Sequence, residues 1–254
     1  MDYVVAIPTF NRVDGLFNKT LSMLKQNKIP ANKIYIFVHN EDQKKLYAEG
    51  LPKDCYNKIV VTNLNKGLAG QRNFIVDYFK ENQKILSLDD DVSAILKLKG
   101  DKLAPTYTLQ KIIKRGFDLC KEYNYTLWGL YPSPNAFYME GQKNFTTDLR
   151  FIVGAFMGFI NKKRRANPDL KIRQDYDLSI QAYLKDGGLI RFNTLCAKYA
   201  IYTKNGGVGQ GQSERLTQLK RESKILIKEY PEIVYHNKQR EGEILLKRDA
   251  LNLQ

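Results

Sequence analysis

Long hydrophobic runs are absent from this sequence. No apolar stretch approaches the ~20 residues a helix needs to cross a bilayer, and MDYVVAIPTF enters a strand at once, with no basic leader or cleavage site before it. The expectation is a soluble, cytoplasmic protein without a transmembrane segment. Cysteine is scarce: Cys55, Cys120 and Cys196 are odd in number, far apart and free of any CxxC spacing. That excludes a disulfide framework and a zinc site of the usual spacing, and leaves them a packing role. Histidine occurs only as His39 and His236. Acidic residues are outnumbered, 27 against 41 Lys and Arg, for a formal charge of +14. Such an excess points to a polyanionic partner, nucleic acid or an anionic membrane surface, unless it serves solubility alone.

What is present suits a folded protein: 254 residues, 43% hydrophobic and 11% aromatic, enough for a sizeable core. Tyr3 to Ile7 is a β-branched run closed by Pro8 and followed by the loop PTFNR. Val13 to Asn27 carries Leu16, Phe17, Thr20, Leu21 and Leu24 at helical spacing. Lys33 to Val38 is a second strand, Gln43 to Glu49 a polar helix stopping near Gly50 and Pro52, and Lys58 to Thr62 a third strand. NLNKGLAGQRN is a Gly-punctuated loop opening a helix with Phe74, Ile75, Tyr78 and Phe79 as its apolar stripe. This alternation predicts an α/β fold with a mostly parallel central sheet and flanking helices.

Later segments are more varied. Thr108 to Tyr123 is an amphipathic helix, Thr126 to Tyr131 a strand, and YPSPNAFYMEGQ an aromatic-rich loop or hairpin. Arg150 to Ile160 reads as a bent strand pair whose two glycines let the backbone approach something closely. A helix from near Asp175 stops at Gly187 and Gly188; strand Leu189 to Tyr202, a glycine loop and a basic helix Glu214 to Tyr230 follow. No repeat or linker interrupts the chain, so residues 1–254 are expected to form one domain.

The central stretch is KILSLDDDV, Lys84 to Val92, an apolar run entering three consecutive carboxylates. Asp is disfavoured within strands and costly to bury, so Asp89, Asp90 and Asp91 are expected just past the sheet edge, where open α/β sheets bind ligands. Two readings are open. The triplet is an acidic turn or cap, or it is neutralised by Mg²⁺ or Mn²⁺ that holds the phosphates of a second ligand. Topology brings Thr9, Asn11 and Arg12, His39 to Glu41, and the Gly70 to Asn73 turn to the same edge.

In order and spacing, AIPTFNR (Ala6 to Arg12), GLAGQRN (Gly67 to Asn73), LSLDDDV (Leu86 to Val92) and RQDYDLSI (Arg173 to Ile180) resemble the motifs of nucleotide-sugar-dependent glycosyltransferases of the GT-A fold. The resemblance implies that residues 1–92 bind the nucleotide sugar and 93–254 the acceptor. It implies that Asp89 and Asp91 hold the cation against the diphosphate of a UDP-sugar, with Asp90 also at the donor, the metal acting as Lewis acid on the leaving group. Pro8, Thr9, Asn11, Arg12 and His39 would then face the nucleoside. Gly70, Arg72 and Asn73 would meet phosphate or base, Arg72 through its planar fork, and Lys204 would cover the diphosphate. Each also has an ordinary reading as a turn or solvated residue. By the same resemblance the acidic motif opening the later helix would supply the general base: Asp175, with Asp177 the alternative, although both also suit a helix cap. Gln174 stands where the family often has Glu. His236 would be a third metal ligand or simply a surface histidine.

WGLYPSPNAFYM (Trp128 to Met139), FIVGAFMGFI (Phe151 to Ile160), RQDYDLSI and YTKNGGVGQ (Tyr202 to Gln210) are similar to the TET-associated and base-J DNA glycosyltransferase group of phages and some eukaryotes. That implies 5-hydroxymethylpyrimidine in DNA as acceptor and, for a phage protein, the host cytoplasm. Lys162, Lys163, Arg164 and Arg165, with Lys220, Arg221, Lys224 and Lys228, would neutralise DNA phosphates. Tyr131, Phe137 or Tyr138 would stack on an extruded base. The alternatives are a transferase of polysaccharide or glycoconjugate synthesis, and a non-catalytic domain that binds nucleic acid.

Overall fold

The computed structural model describes residues 2–64, 67–199 and 212–248. The first half is parallel: β1 (Val4–Pro8), β2 (Ile34–Val38), β3 (Lys58–Val61) and β4 (Lys84–Leu88) pair in the order β3-β2-β1-β4. The strands are joined by helices. α1 (Val13–Gly15), a π-helical stretch (Leu16–Leu21) and α2 (Ser22–Gln26) run on as one helix, followed in turn by α3 (Glu41–Gly50) and α4 (Gly67–Tyr78). Asn40 caps α3, accepting from Gln43 N at 2.9 Å. Strands buried on both faces read as continuous apolar runs, as VVAIP and IYIFV do.

The second half completes the sheet. β5 (Ala94–Lys99) and β6 (Lys102–Pro105) form a hairpin, then come α5 (Leu109–Tyr123), β7 (Leu127–Tyr131), the short α6 (Ala136–Met139), β8 (Phe145–Thr146) and β9 (Phe156–Ile160). α7 (Gln174–Asp186), β10 (Ile190–Lys198) and α8 (Gln212–Glu229) follow, and β11 (Val234–His236) with β12 (Ile244–Leu246) makes a separate ribbon. Sheet order continues from β4 as β9-β7-β10-β5-β6, with β8 also on β10. β1, β2, β3, β4, β6, β7 and β10 share one direction, while β5, β8 and β9 oppose it. The expected mostly parallel α/β sheet is therefore present.

Side-chain alternation divides the core between two faces. Val5 and Ile7 join α2, α3 and α5 on one side; Ala6 and Ile85 meet α4 on the other, and Met157 packs with α7 and α8. Trp128 sits fully buried between two glycines: a Cβ at Gly116 or Gly158 would lie within 2.6 Å of its ring. The close approach expected at Gly158 is thus made by Trp128. The expected strand pair over 150–160 is one strand only. The preceding segment bonds to α7 instead of to a neighbouring strand, through Ile152 N to Ser179 Oγ (3.1 Å) and Gly154 N to Asp175 Oδ2 (3.1 Å). The Gly70 to Asn73 turn is helical, within α4, whose Leu-Ala and Gln-Arg pairs favour helix. Among the described residues no helix is long and apolar enough to cross a membrane.

Strand order reverses between β1 and β4, which opens a crevice at their carboxyl ends. Both proposed donor segments leave the sheet there: Thr9 to Arg12 from β1, and the Asp triplet from β4.

Candidate active site

The three carboxylates have different surroundings. Asp90 turns inward, accepting from Thr9 Oγ1 at 2.7 Å and from Arg12 Nη1 at 3.0 Å. Thr9 is tied in turn to the Tyr47 hydroxyl at 2.6 Å, which also accepts from Arg12 N at 2.9 Å. Asp91 lies 3.6 Å from Arg12. Burial, and after it the charges of Asp89 and Asp90, push the Asp91 carboxyl up to about 6, against the pull of Arg12 and Lys19. Thr20, on the π-helical stretch, braces the turn from behind: its hydroxyl donates to Asp89 O at 2.8 Å and accepts from Val92 N at 2.9 Å. A cleft of about 640 Å³ opens beside Asp90 and Asp91, with Asn11, Arg12, Asp14 and Lys19 on its wall.

Asp89 faces the other way, toward the second half of the sheet. Its Oδ1 accepts from Arg72 Nη2 at 2.9 Å, and its backbone N donates to Ala155 O at 3.1 Å. Arg72 is 5% exposed and lies against Gly154, where a Cβ would come within 2.5 Å of its Cζ and Nη2. Gln174, with its amide oxygen turned to Arg72, accepts from Nη1 at 3.0 Å. Gly154 N and Tyr176 N donate to the two oxygens of Asp175, at 3.1 and 3.0 Å. Burial raises the Asp175 carboxyl to about 6, opposed chiefly by the Arg72 charge and these backbone donors. The turn before Asp175 rests on α8: Glu222 accepts from the backbone N of Lys171, Ile172 and Arg173 at 2.8–3.2 Å. A carboxylate with a raised pKa, beside a fixed guanidinium that reaches a second carboxylate, suits proton transfer next to a bound anion.

The profile of the TET-associated glycosyltransferases matches residues 3–207. The chain belongs to that family. No curated protein matches it. Among solved structures, S. aureus TarS 1–349 superposes with a TM-score of 0.54 at 13% identity, covering 89% of this chain and 66% of that one. The mannosyltransferase PcManGT from Pyrobaculum calidifontis, in complex with GDP-Man and Mn²⁺, gives 0.53 at 12% identity over 90% and 63%. GalNAc-T7 with UDP, GalNAc and Mn²⁺ gives 0.58 at 14% identity over 89% and 47%. These likenesses show the GT-A fold, and this chain spans less than two thirds of each of those structures.

Other expected site residues of this TET-associated family member are placed as follows. Pro8 ends β1 in the core, and Asn11 takes a left-handed φ of 52° and exchanges hydrogen bonds with Gln43. His39 Nδ1 is 2.9 Å from Leu64 O, and its ring meets Phe10 edge-on. Gly70 is buried in α4, and the Asn73 amide bonds both ways to the Ala166 backbone, holding the 161–173 loop. Asp177 is fully buried and accepts from Asn167 N, Gln181 Nε2 and the Tyr230 hydroxyl at 2.7–2.9 Å, a bracing role that leaves Asp175 as the base candidate. His236 is exposed on the β11–β12 ribbon. Among the described residues no three His, Cys, Asp or Glu side chains converge to hold an ion, so it does not join Asp89 and Asp91. Lys204 lies outside the described residues.

The basic run lies away from the acidic tip. β9 starts beside Leu88 and ends beside Lys84, so Lys162 to Arg165 emerge at the sheet edge opposite the Asp triplet. There Lys163 caps α4 through Val76 O at 2.8 Å, Arg164 pairs with Asp186 and Thr126, Arg165 reaches Asp77 at 2.7 Å, and Lys162 reaches Asn82 at 2.7 Å. A charge run in sequence carries no sign of which edge a strand leaves by. Of the basic helix face, Lys220 pairs with Glu241, while Arg221, Lys224 and Lys228 are exposed. Sequence reasoning missed Gly154 as the slot for Arg72, and Thr20 and Tyr47 as supports. RFIVG carried the first signal, a glycine where a strand should start.

Proposed function

We propose that this chain transfers a sugar from a nucleoside diphosphate-sugar to a hydroxyl on 5-hydroxymethylpyrimidine in DNA. The observation that carries the reading is Arg72 at the sheet's switch point, bonded to Asp89 and near enough to Asp175 for its charge to act on that carboxyl, with Asp90 and Asp91 on the wall of the crevice. Family membership supports DNA as acceptor. Residues 1–92 form the donor half and 93–254 the acceptor half.

The donor set suits a hard cation. Asp91, 3.6 Å from Arg12, is half-buried beside two further carboxylates, and Mg²⁺ or Mn²⁺ accepts one or two carboxylates together with phosphate oxygens and water. Asp89 and Asp91 would hold it, and when bound it stabilises charge on the departing diphosphate. PcManGT and GalNAc-T7 were solved with Mn²⁺ and a nucleotide or nucleotide sugar, which agrees with this reading. Arg12 and Lys19 supply further positive charge on the donor side. Asp175 takes the proton of the acceptor hydroxyl as its oxygen attacks the anomeric carbon. The bond from that carbon to phosphate oxygen breaks, its electron pair leaving with the nucleoside diphosphate. A single displacement of this kind inverts the anomeric centre. Phe137 and Tyr138, 78% and 55% exposed on α6, offer faces to an extruded base.

A second reading, transfer to a polysaccharide or other glycoconjugate, gains from the internal bonding of Lys162 to Arg165. The deciding experiment incubates the protein with Mn²⁺ or Mg²⁺, UDP- or GDP-sugars and DNA bearing 5-hydroxymethylcytosine or 5-hydroxymethyluracil. Mass spectrometry should find a hexose or pentose added to the modified base. Donor turnover without any gain in DNA mass would move the assignment to the second reading.

A further inference from the structure

A second cluster of charge lies on the acceptor half. Arg191, on β10, is 6% exposed, and its Nε donates to Asn193 Oδ1 at 2.9 Å. Its guanidinium carbon stands 4.9 Å from the Tyr131 ring centroid. Ile190 and Phe192 pack on the α5 face of the sheet, so the intervening Arg191 lies on the α7 face, the side of Asp175. Arg150 is nearby, its Nε donating to Asp148 Oδ2 at 2.8 Å, while Asp148 Oδ1 is buried without a partner. Burial first, then the Arg150 charge, lowers Arg191 to about 10; Tyr131 and Asp148 offset this and Arg248 adds to it. Two guanidiniums, Arg150 and Arg191, thus share the neighbourhood of a single carboxylate, Asp148.

A guanidinium fixed through Nε in a mostly buried side chain keeps its Nη edge for a forked acceptor. Ion pairing within the cluster leaves a positive surplus whose burial is costly unless an anion completes it. The position also fits. Arg150 precedes Gly154 by four residues, and Gly154 N bonds Asp175, so the two sites are separated by no more than about 14 Å of extended chain plus side-chain reach. A few nucleotides of one strand cover that span.

We infer that Arg150 and Arg191 form a phosphodiester subsite that grips the acceptor DNA strand next to the hydroxyl presented to Asp175. This rests on the DNA reading above and replaces the Lys162 to Arg165 run as the place where acceptor phosphate binds.

The test measures binding of a fluorescein-labelled single-stranded oligonucleotide carrying 5-hydroxymethylcytosine across a salt series, by anisotropy. Arg150→Gln and Arg191→Lys are compared with the wild type and with Arg115→Gln on the exposed surface of α5. The expected result is about tenfold weaker binding at low salt for Arg150→Gln, with its log–log salt slope shallower by about 0.7. Arg191→Lys, which keeps the charge and loses the fork, should weaken binding at an unchanged slope. Arg115→Gln should match the wild type. Wild-type binding that is absent or insensitive to salt overturns the subsite, as do slopes and affinities in both cluster variants equal to those of Arg115→Gln. Sugar transfer to the same oligonucleotide is scored separately: the expected slopes without transfer would leave the subsite standing and remove the DNA reading.

Discussion

Arg72 reaches Asp89 through space that exists only because residue 154 has no side chain: a Cβ there would stand 2.5 Å from the guanidinium carbon. The same glycine donates its backbone N–H to Asp175. One residue without a side chain therefore sets the distance between the candidate base and the acidic tip.

Gly154→Ala should displace Arg72 and break its pairing with Asp89. Overpacking of this kind costs about 1–3 kcal/mol, measurable by urea denaturation. Sugar transfer should fall by more than about tenfold while far-UV circular dichroism stays that of the wild type. Wild-type turnover in this variant would mean that Arg72 placement does not matter to the reaction.

Asp175→Asn should bind nucleotide sugar as the wild type does and lose transfer by about 10²–10⁴-fold, the usual contribution of a general base. Titration calorimetry with donor and rapid-quench kinetics separate the two effects.

A pH profile follows from the raised Asp175 carboxyl. The base works only when ionised, and burial holds its pKa at about 6. The value of kcat/KM for acceptor should therefore rise with pH through about 6 and level off above it. In the folded protein the raised value also means that ionising Asp175 disfavours the native state as pH climbs from the ordinary carboxylate range to about 6. Asp175→Asn should flatten that limb of the stability profile.

Asp91→Ala should abolish the cation dependence of donor binding and leave the fold intact. Asp91 contributes no hydrogen bond to the turn, which Thr9, Arg12 and Thr20 hold through Asp90, Asp89 O and Val92 N. Donor affinity measured with Mn²⁺ and with EDTA should coincide in the variant.

Arg164→Ala should act on stability instead of on DNA. Its guanidinium pairs with the nearly buried Asp186, whose oxygen also accepts from Thr126 N at 3.0 Å. Removing it strands a carboxylate, at a cost of about 2–4 kcal/mol. The salt slope for oligonucleotide binding should stay at the wild-type value.

The parallel half of the fold was legible because its strands are short apolar runs separated by strong helix and turn signals, and VVAIP, IYIFV and KIVV lie within one residue of their expected bounds. The β5–β6 hairpin was overlooked even though AILKLK alternates and Gly100 turns at a φ of 60°. At the site, residue types were visible and partners were not. Asp89 and Asp90 differ by one position, yet one faces Arg72 on α4 and the other Thr9 just past β1, segments far apart in the chain. The partners of Lys162, Arg164 and Arg165 were hidden for the same reason: Asn82, Asp186 and Asp77 come from distant parts of the chain.

Glu222 lies beyond residue 207, where the family profile ends, yet it anchors three consecutive amides leading into α7, while Tyr230 steadies Asp177 from the same quarter. The segment past the matched stretch is thus a buttress for the candidate site. A chain pared back to residues 3–207 would keep Asp89, Arg72 and Asp175 while losing the ground they stand on.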